Sequence, residues 1–482
     1  MVIVFAASEC APWAKTGGLA DVVAALPKAL VALGHKVSVF IPYYRQVAKL
    51  APECPVVQPS VTIPFPHYNR FVQILDGGVK DGVQLYFVAN SEMFDRDSFY
   101  ATPGGDYLDN AERFGLFSRA VIEATKVLGV PDVFHVHDWQ TAILAVLLRS
   151  TYFFDPVLKG VPAVLSIHNA GYQGWFPPST MELLLLPWDM FTFDKLESYD
   201  SVNFLKGGVL YADAITTVSR KYAEEIQTSE FGNGLEGILQ RRSSDLFGIL
   251  NGVDYAEWDP AHDSNIAAHY TAENLAGKKK CREDLLHAFG LNDVAETTAV
   301  IGVVSRFATQ KGFDFIVAIM DRLVQEDMVL VILGNGEEYY ERLLTETANR
   351  FPGKVRVQVK YDNVIAHKIE AGSDMFLMPS RYEPSGLNQM YSLRYGTIPV
   401  VRATGGLEDT IDERHGGQGN GFKFWGYNPE DLLDAIKRAL ATFQNKEEWT
   451  GMMKRGMAQD FSWEHPAKEY VRVYERAVNN RN

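Results

Sequence analysis

Short apolar runs alternate with amphipathic stretches through the first half of the chain. Residues 2–7 are an unbroken apolar run of strand length. A Gly-bearing loop follows, then a helical pattern across 19–33, then Gly34-His35 and an apolar run at 36–41. That sequence of periods is a β-α-β unit. Further strands are expected at 84–88, 133–136, 163–167 and 214–218. Strands that alternate with helices predict a mostly parallel, doubly wound α/β sheet. A quieter stretch covers 245–298, with loop-rich Asn251-Gly252-Val253-Asp254 and a Lys-rich segment at 278–282. A second alternating pattern then predicts strands at 299–305, 328–333, 355–359, 375–379 and 398–401. Together the two patterns exceed one comfortable core, so a second sheet domain is expected. The pattern Thr-Gly-Gly-Leu-x-Asp opens a helix in each half, at 16–21 and at 404–409.

Composition narrows the partners. The chain has 482 residues, 47% of them apolar and 22% charged, which is ordinary for globular domains. A net charge of −14 argues against nucleic-acid and acidic-membrane partners, which require clustered Lys and Arg. Cys10, Cys54 and Cys281 are sparse, odd in number and far apart, which suits a reducing cytoplasm and gives no disulfide framework or zinc spacing. The first apolar run is too short to span a bilayer and lacks a basic leader, so a soluble, unexported, cytoplasmic protein is expected.

Four motifs sit where such sheets bind ligands, at the C-terminal ends of expected strands. Lys15-Thr16-Gly17-Gly18 lies between a strand and a helix. Its glycines let backbone approach a ligand, and the helix start offers N–H groups to phosphate. Arg306 and Lys311, after the first strand of the second half, could hold a diphosphate. Glu383, in Arg381-Tyr382-Glu383-Pro384-Ser385-Gly386-Leu387, is placed to take sugar hydroxyls or transition-state charge. His135 and His137 alternate onto one strand face, with Asp138-Trp139 just beyond, and His168-Asn169 ends the 163–167 strand. Each has a plain alternative: a tight turn, solvated surface cations, a solvated loop carboxylate, a hydrogen-bonded core histidine. A metal at the histidines lacks further ligands in range. Asp95-Arg96-Asp97 reads as a loop and not as a metal site.

Taken together and in order, these motifs resemble the glycogen and starch synthase family over nearly the whole chain. The matching positions are Lys15-Thr-Gly-Gly-Leu, Asp109-Asn-Ala-Glu-Arg-Phe, His137-Asp-Trp, His168-Asn-Ala-Gly-Tyr-Gln-Gly, Lys206-Gly-Gly, Thr217-Val-Ser, Asn251-Gly-Val-Asp, Ser305-Arg, Gln310-Lys-Gly, Arg381-Tyr-Glu-Pro-Ser-Gly-Leu, Tyr395-Gly-Thr and Thr404-Gly-Gly-Leu. The resemblance implies a glycosyltransferase B fold, two Rossmann-like domains facing a cleft, with domains at 1–245 and 246–460. A helical tail at 461–482 would pack back on the first. The implied reaction moves glucose from ADP-glucose to the 4-hydroxyl at the non-reducing end of an α-1,4-glucan, with retention. UDP-glucose, or a non-catalytic glucan-binding role, is the alternative.

Residue by residue, the resemblance places Arg306 and Lys311 at the diphosphate, and Lys15 and Gly18 at the donor phosphates and glucose. It places Glu383 at the sugar hydroxyls, His168 at the anomeric region, Asp138 near glucose and acceptor, and Tyr361 on the adenine. Asn251 matches a cleft position, Ser385, Gly386, Leu387, Thr404 and Gly405 are donor-loop positions, and Tyr100 and Trp139 are acceptor-side candidates. No cofactor and no metal are expected. Two positions depart from related patterns. Tyr391 stands where many such folds carry a second Glu, and Ser385 stands where Cys is common.

Overall fold

The computed structural model describes residues 1–102, 104–414 and 418–481, so Asn482 of the expected tail lies outside the described residues. The chain divides into two compact units: Met1–Gly252 with Trp463–Asn482, and Val253–Ser462.

The described residues of the first unit build a nine-stranded sheet. Its order across the sheet is Leu246–Gly248, Ala214–Thr217, Ala163–Ile167, Val133–His137, Val2–Ala6, Lys36–Pro42, Val83–Ala89, Asn69–Lys80 and Val56–Pro64. The first seven run parallel, and the last two add antiparallel pairs at one edge. Every residue of Val133–His137 and Ala163–Ile167 is buried, as expected where helices cover both faces of a parallel sheet. Val2–Ala6 pairs with Lys36–Pro42 on one side and Val133–His137 on the other, so the strand order reverses there. At such a reversal the loops leave in opposite directions and open a crevice above the strand ends.

Two features of this unit were not expected from periodicity. The edge strands Val56–Pro64 and Asn69–Lys80 carry Pro59 and Gly77-Gly78, and their pairing shifts register near Gln58 and Asp76. Bulges of this kind break the alternation that marks a strand. Leu246–Gly248 pairs in parallel with Ala214–Thr217 and so extends the first unit to Gly252, past the expected boundary after 245.

The tail helix Glu464–Asn479 buries Ala467, Tyr470, Val473, Tyr474 and Ala477, a stripe at helical spacing, in the first unit. The Tyr474 hydroxyl lies 2.8 Å from His135 Nδ1, and Arg476 pairs with Asp245 at 3.0 Å.

The second unit carries a six-stranded parallel sheet ordered Val355–Val359, Met328–Gly334, Ala299–Val304, Met375–Met378, Ile398–Arg402 and Phe422–Phe424. Its order reverses between Ala299–Val304 and Met375–Met378. The stretch expected to be quiet holds the helix Ala276–Ala288. Its Lys278 is buried, and its ammonium reaches the carbonyls of Ala371 and Tyr395 and the hydroxyl of Thr397 at 2.8–3.0 Å. That one cation satisfies carbonyls at the ends of two helices, Asn363–Gly372 and Asn388–Arg394, where the helix dipole favours positive charge.

Candidate functional site

In the first unit the expected residues gather above the strand-order reversal. Lys15 through Gly18 are exposed, and helix Gly18–Ala32 starts there from an extended Gly17. A Cβ built on Gly17 or Gly18 would meet nothing within 4 Å, so this backbone is open to a ligand. Lys15 Nζ lies 2.6 Å from Asp21 Oδ1 one turn into the helix, and burial raises the Asp21 carboxyl above its usual range against the pull of Lys15.

The loop is fastened from below by Glu9, a residue the sequence reading passed over. Glu9 is buried and accepts from the Thr16 backbone N–H at 2.5 Å and the Thr16 hydroxyl at 2.6 Å. The Tyr100 hydroxyl lies 2.6 Å from the same carboxylate and 2.8 Å from Ser8 Oγ. Tyr100 is therefore a buttress of the Lys15 loop, and burial beside Glu9 pushes its phenol well above the usual range. The signal for Glu9 was positional: it follows the first strand just as Asp138 and His168 follow theirs.

Asp138 begins the helix Asp138–Arg149 with φ +51°, a left-handed conformation that Asp tolerates better than most side chains. Its Oδ1 accepts the His168 backbone N–H at 2.7 Å. Burial pushes its carboxyl up to about 7, against the lowering effect of the His168 and Asn169 amides. The neighbouring rings form a neutral row. His168 Nε2 lies 3.1 Å from His137 Nδ1, and burial lowers His168 to about 3. His135 is held by Ser166 at 2.7 Å and by Tyr474, so the tail helix is hydrogen-bonded into this row.

The Trp139 ring is largely buried, packed against Phe114, Phe176 and Tyr100 and under Gly174. Asn251 is also buried, and among the described residues its Oδ1 has no hydrogen-bond partner. Asp95 and Asp97 both pair with Arg45, which fills the place a cation would take.

In the second unit Glu383 is buried, with Oε2 accepting from Lys311 Nζ at 2.6 Å and from Ser380 Oγ at 3.0 Å. Ser380 is the second residue the sequence reading missed. Arg306 is exposed, and its guanidinium reaches Gln310 Oε1 at 3.4 Å. The Gln310 carbonyl in turn accepts from the Arg381 amide at 2.8 Å. The two cation-bearing loops are thus tied together through Gln310 and through the Lys311–Glu383 pair.

Thr404 and Gly405 lie beneath them. A Cβ on Gly405, where φ is +46°, would stand 2.0 Å from the Glu383 carbonyl, and one on Gly406 would stand 1.9 Å from that of Ser385. Glycine is required there because one backbone lies directly on another. Gly406 N–H donates to the Glu383 carbonyl at 3.1 Å, so this loop sets the height of Glu383. Ser385 is buried beside Gly386, whose φ is +66°, and Leu387 leads into helix Asn388–Arg394. Tyr361 is 78% exposed just before helix Asn363–Gly372, a free aromatic face on the same sheet edge.

Each unit thus presents a doubly wound sheet with charged groups at its strand-order reversal: Lys15, Asp138 and the open Gly17-Gly18 backbone in the first, and Arg306, Lys311 and Glu383 in the second. That arrangement fits a glycosyltransferase of the B fold. Comparison with known proteins places it further. The starch synthase catalytic domain family matches residues 2–241, and group 1 glycosyl transferases match 290–450. The chain is 57% identical to a glycogen synthase of Koribacter versatilis, covering 99% of this chain and 98% of that one. It is 43% identical to a glycogen synthase of Anaeromyxobacter sp., covering 98% and 99%. Among solved structures, the catalytic domain of starch synthase IV from Arabidopsis thaliana, bound to ADP and acarbose, superposes with a TM-score of 0.89. It is 32% identical, with 99% of both chains covered. A sucrose-phosphate synthase from Thermosynechococcus elongatus shares the fold, with TM-score 0.58 at 14% identity and 99% of both chains covered. The chain belongs to the glycogen and starch synthase family of retaining glycosyltransferases.

Proposed function

We propose that this chain elongates an α-1,4-glucan with glucose from ADP-glucose. The observation that carries the reading is the Lys311–Glu383–Ser380 cluster: a buried carboxylate held by one lysine and one hydroxyl at a sheet edge. Arg306 and Lys311 take the diphosphate, where each close ion pair contributes about 4 kcal/mol at an effective dielectric of 20 before desolvation. Glu383 takes glucose hydroxyls, and Tyr361 offers its exposed ring to the adenine. In the first unit Lys15 and the open backbone at Gly17-Gly18 offer charge and N–H groups to phosphate. Asp138 and His168 attend the reacting sugars.

In the reaction the bond from the anomeric carbon to the diphosphate oxygen breaks, and its electron pair leaves with ADP. The acceptor 4-hydroxyl attacks the same face of the anomeric carbon, and its proton passes to the departing phosphate oxygen. Neutral His168 leaves the positive charge around the donor to Lys and Arg. Catalysis rests on positioned charge and orientation, without a pair of catalytic carboxylates. The ADP and acarbose carried by the starch synthase relative support this reading.

Among the described residues no helix is long and apolar enough to cross a membrane. Cys10, Cys54 and Cys281 are free thiols, which supports a cytoplasmic setting. The test is glucose transfer to glycogen from ADP-glucose and UDP-glucose side by side. ADP-glucose is expected to give the higher kcat/KM, and a higher value with UDP-glucose would overturn the donor assignment.

A further inference from the structure

Between Gln173 and Asn203 the first unit carries a small antiparallel sheet outside its main one. Trp175–Phe176 pairs with Ser201–Asn203, which pairs with Glu197–Ser198. The turn joining the last two strands consists of Tyr199 and Asp200 alone, with φ +50° and +59°. Two-residue turns of this handedness favour Asn-Gly, because a Cβ is strained in both places. A tyrosine here is conformationally unfavourable, and its ring is 83% exposed, so burial does not offset the strain.

The Tyr199 ring lies 5.8 Å from that of Trp175, tilted by 41°, and Trp175 is itself 42% exposed. The two exposed rings thus form one paired aromatic patch on a single small sheet.

The base under the pair is rigid. Gly174 presses on the buried Trp139 ring, where a Cβ would meet it at 2.6 Å. The Gln173 side chain bonds Asn203 Nδ2 at 2.6 Å and the carbonyls of Ala170 and Asn233 at 3.0 and 2.9 Å. Both rings are therefore presented, not loosely tethered.

We infer that Trp175 and Tyr199 form a glucan-binding platform that holds the acceptor chain away from the point of transfer. The inference rests on the glucan-elongating reading above. Two tilted aromatic faces match the apolar C–H faces of successive sugars along a curved α-1,4-glucan. The surrounding charge selects against the other substrate: between Tyr172 and Asn203 lie Glu182, Asp189, Asp194, Glu197 and Asp200, against Lys195 and the Lys206 ammonium that reaches the carbonyls of Phe193 and Glu197, which leaves this region net acidic. A neutral polyhydroxyl chain is accepted there, whereas a nucleotide diphosphate is repelled. Trp175 follows His168 by seven residues, so their backbones are at most about 24 Å apart, within reach of one oligosaccharide.

The test is native electrophoresis through gels containing glycogen, alongside kinetics with glycogen and with maltotriose. Tyr199→Asn removes the ring and suits the left-handed turn, so its melting temperature is expected to equal or exceed that of the parent. Its retardation by glycogen should fall, and its KM for glycogen should rise about tenfold. The KM for ADP-glucose and the rate on maltotriose should not change. Trp175→Ala should behave alike.

Unchanged retardation and KM in Tyr199→Asn, with the parent active on glycogen, would overturn the platform and leave the function standing. A parent enzyme that neither transfers glucose to glycogen nor is retarded by it would overturn the function reading. A change of oligomeric state on size exclusion, without loss of glycogen retention, would assign the rings to self-association and overturn the platform.

Discussion

Replacing Glu383 by Gln isolates one charge at the centre of the second-unit cluster. The carboxylate is 6% exposed and sits 2.6 Å from Lys311 Nζ, with Ser380 at 3.0 Å. At 2.6 Å the gross attraction is roughly 6 kcal/mol at an effective dielectric of 20, most of it offset by desolvation. Breaking a buried pair costs about 3–5 kcal/mol. The Lys311 side chain keeps 23% of its surface in solvent, which places this pair at or below the low end of that range.

Gln keeps the shape and can still accept from Ser380, so the fold should survive with a lower melting temperature. For the reaction, one positioned contact to the sugar is lost, typically about 10²–10³ in kcat, or roughly 2.7–4 kcal/mol. ADP binding should not weaken, because Lys311, released from its carboxylate, is freer to meet phosphate. The assay is the initial rate of glucose incorporation into glycogen, with calorimetric titration of ADP and a thermal melt on the same sample. A folded variant with kcat within about threefold of the parent would remove Glu383 from the site. A loss of ADP affinity in step with kcat would place it at the nucleotide instead of the sugar.

Two further substitutions probe the supports of the two clusters. Gly406→Ala places a Cβ 1.9 Å from the Ser385 carbonyl, and is expected to cost about 1–3 kcal/mol or more and to lower activity by shifting Glu383, as a thermal melt and rate assay would show. Gly17→Ala, whose Cβ meets nothing within 4 Å, should melt like the parent, so equal stability of the two variants would refute the packing argument. Asp138→Asn tests the raised carboxyl. A folded value of about 7 against an unfolded value near 3.9 means the native state holds the proton more tightly, so stability is fully present below about pH 4 and is lost as pH rises through 7. Asn removes that loss and also tolerates φ +51°, so the variant should gain up to about 4 kcal/mol over the parent at pH 8 relative to pH 4, while losing activity. A pH-independent difference in melting temperature would show that Asp138 is not desolvated.

The largely apolar runs at 2–7, 133–136, 163–167, 299–305 and 328–333 identified the central strands to within a residue, because a strand covered on both faces carries few polar side chains. Glycines and charges following those runs marked the candidate site, because the C-terminal ends of parallel strands are where the loops open. Local sequence reaches no further, since its periods of 2 and 3.6 residues say nothing about which strands become neighbours. The shared Thr-Gly-Gly-Leu pattern shows the limit. At Gly17-Gly18 the glycines face open space, whereas at Gly405-Gly406 they lie under the Glu383 loop, and only packing separates an open turn from a supporting one. The burial of the Trp139 ring between Phe114 and Gly174 is likewise invisible to local sequence, because both partners come from distant segments. Glu9 and Ser380 carried no motif. Their roles arise because the chain brings Thr16, Tyr100, Lys311 and Glu383 to them. Long-range contacts decided which polar residues at the strand ends stay open and which hold the others in place.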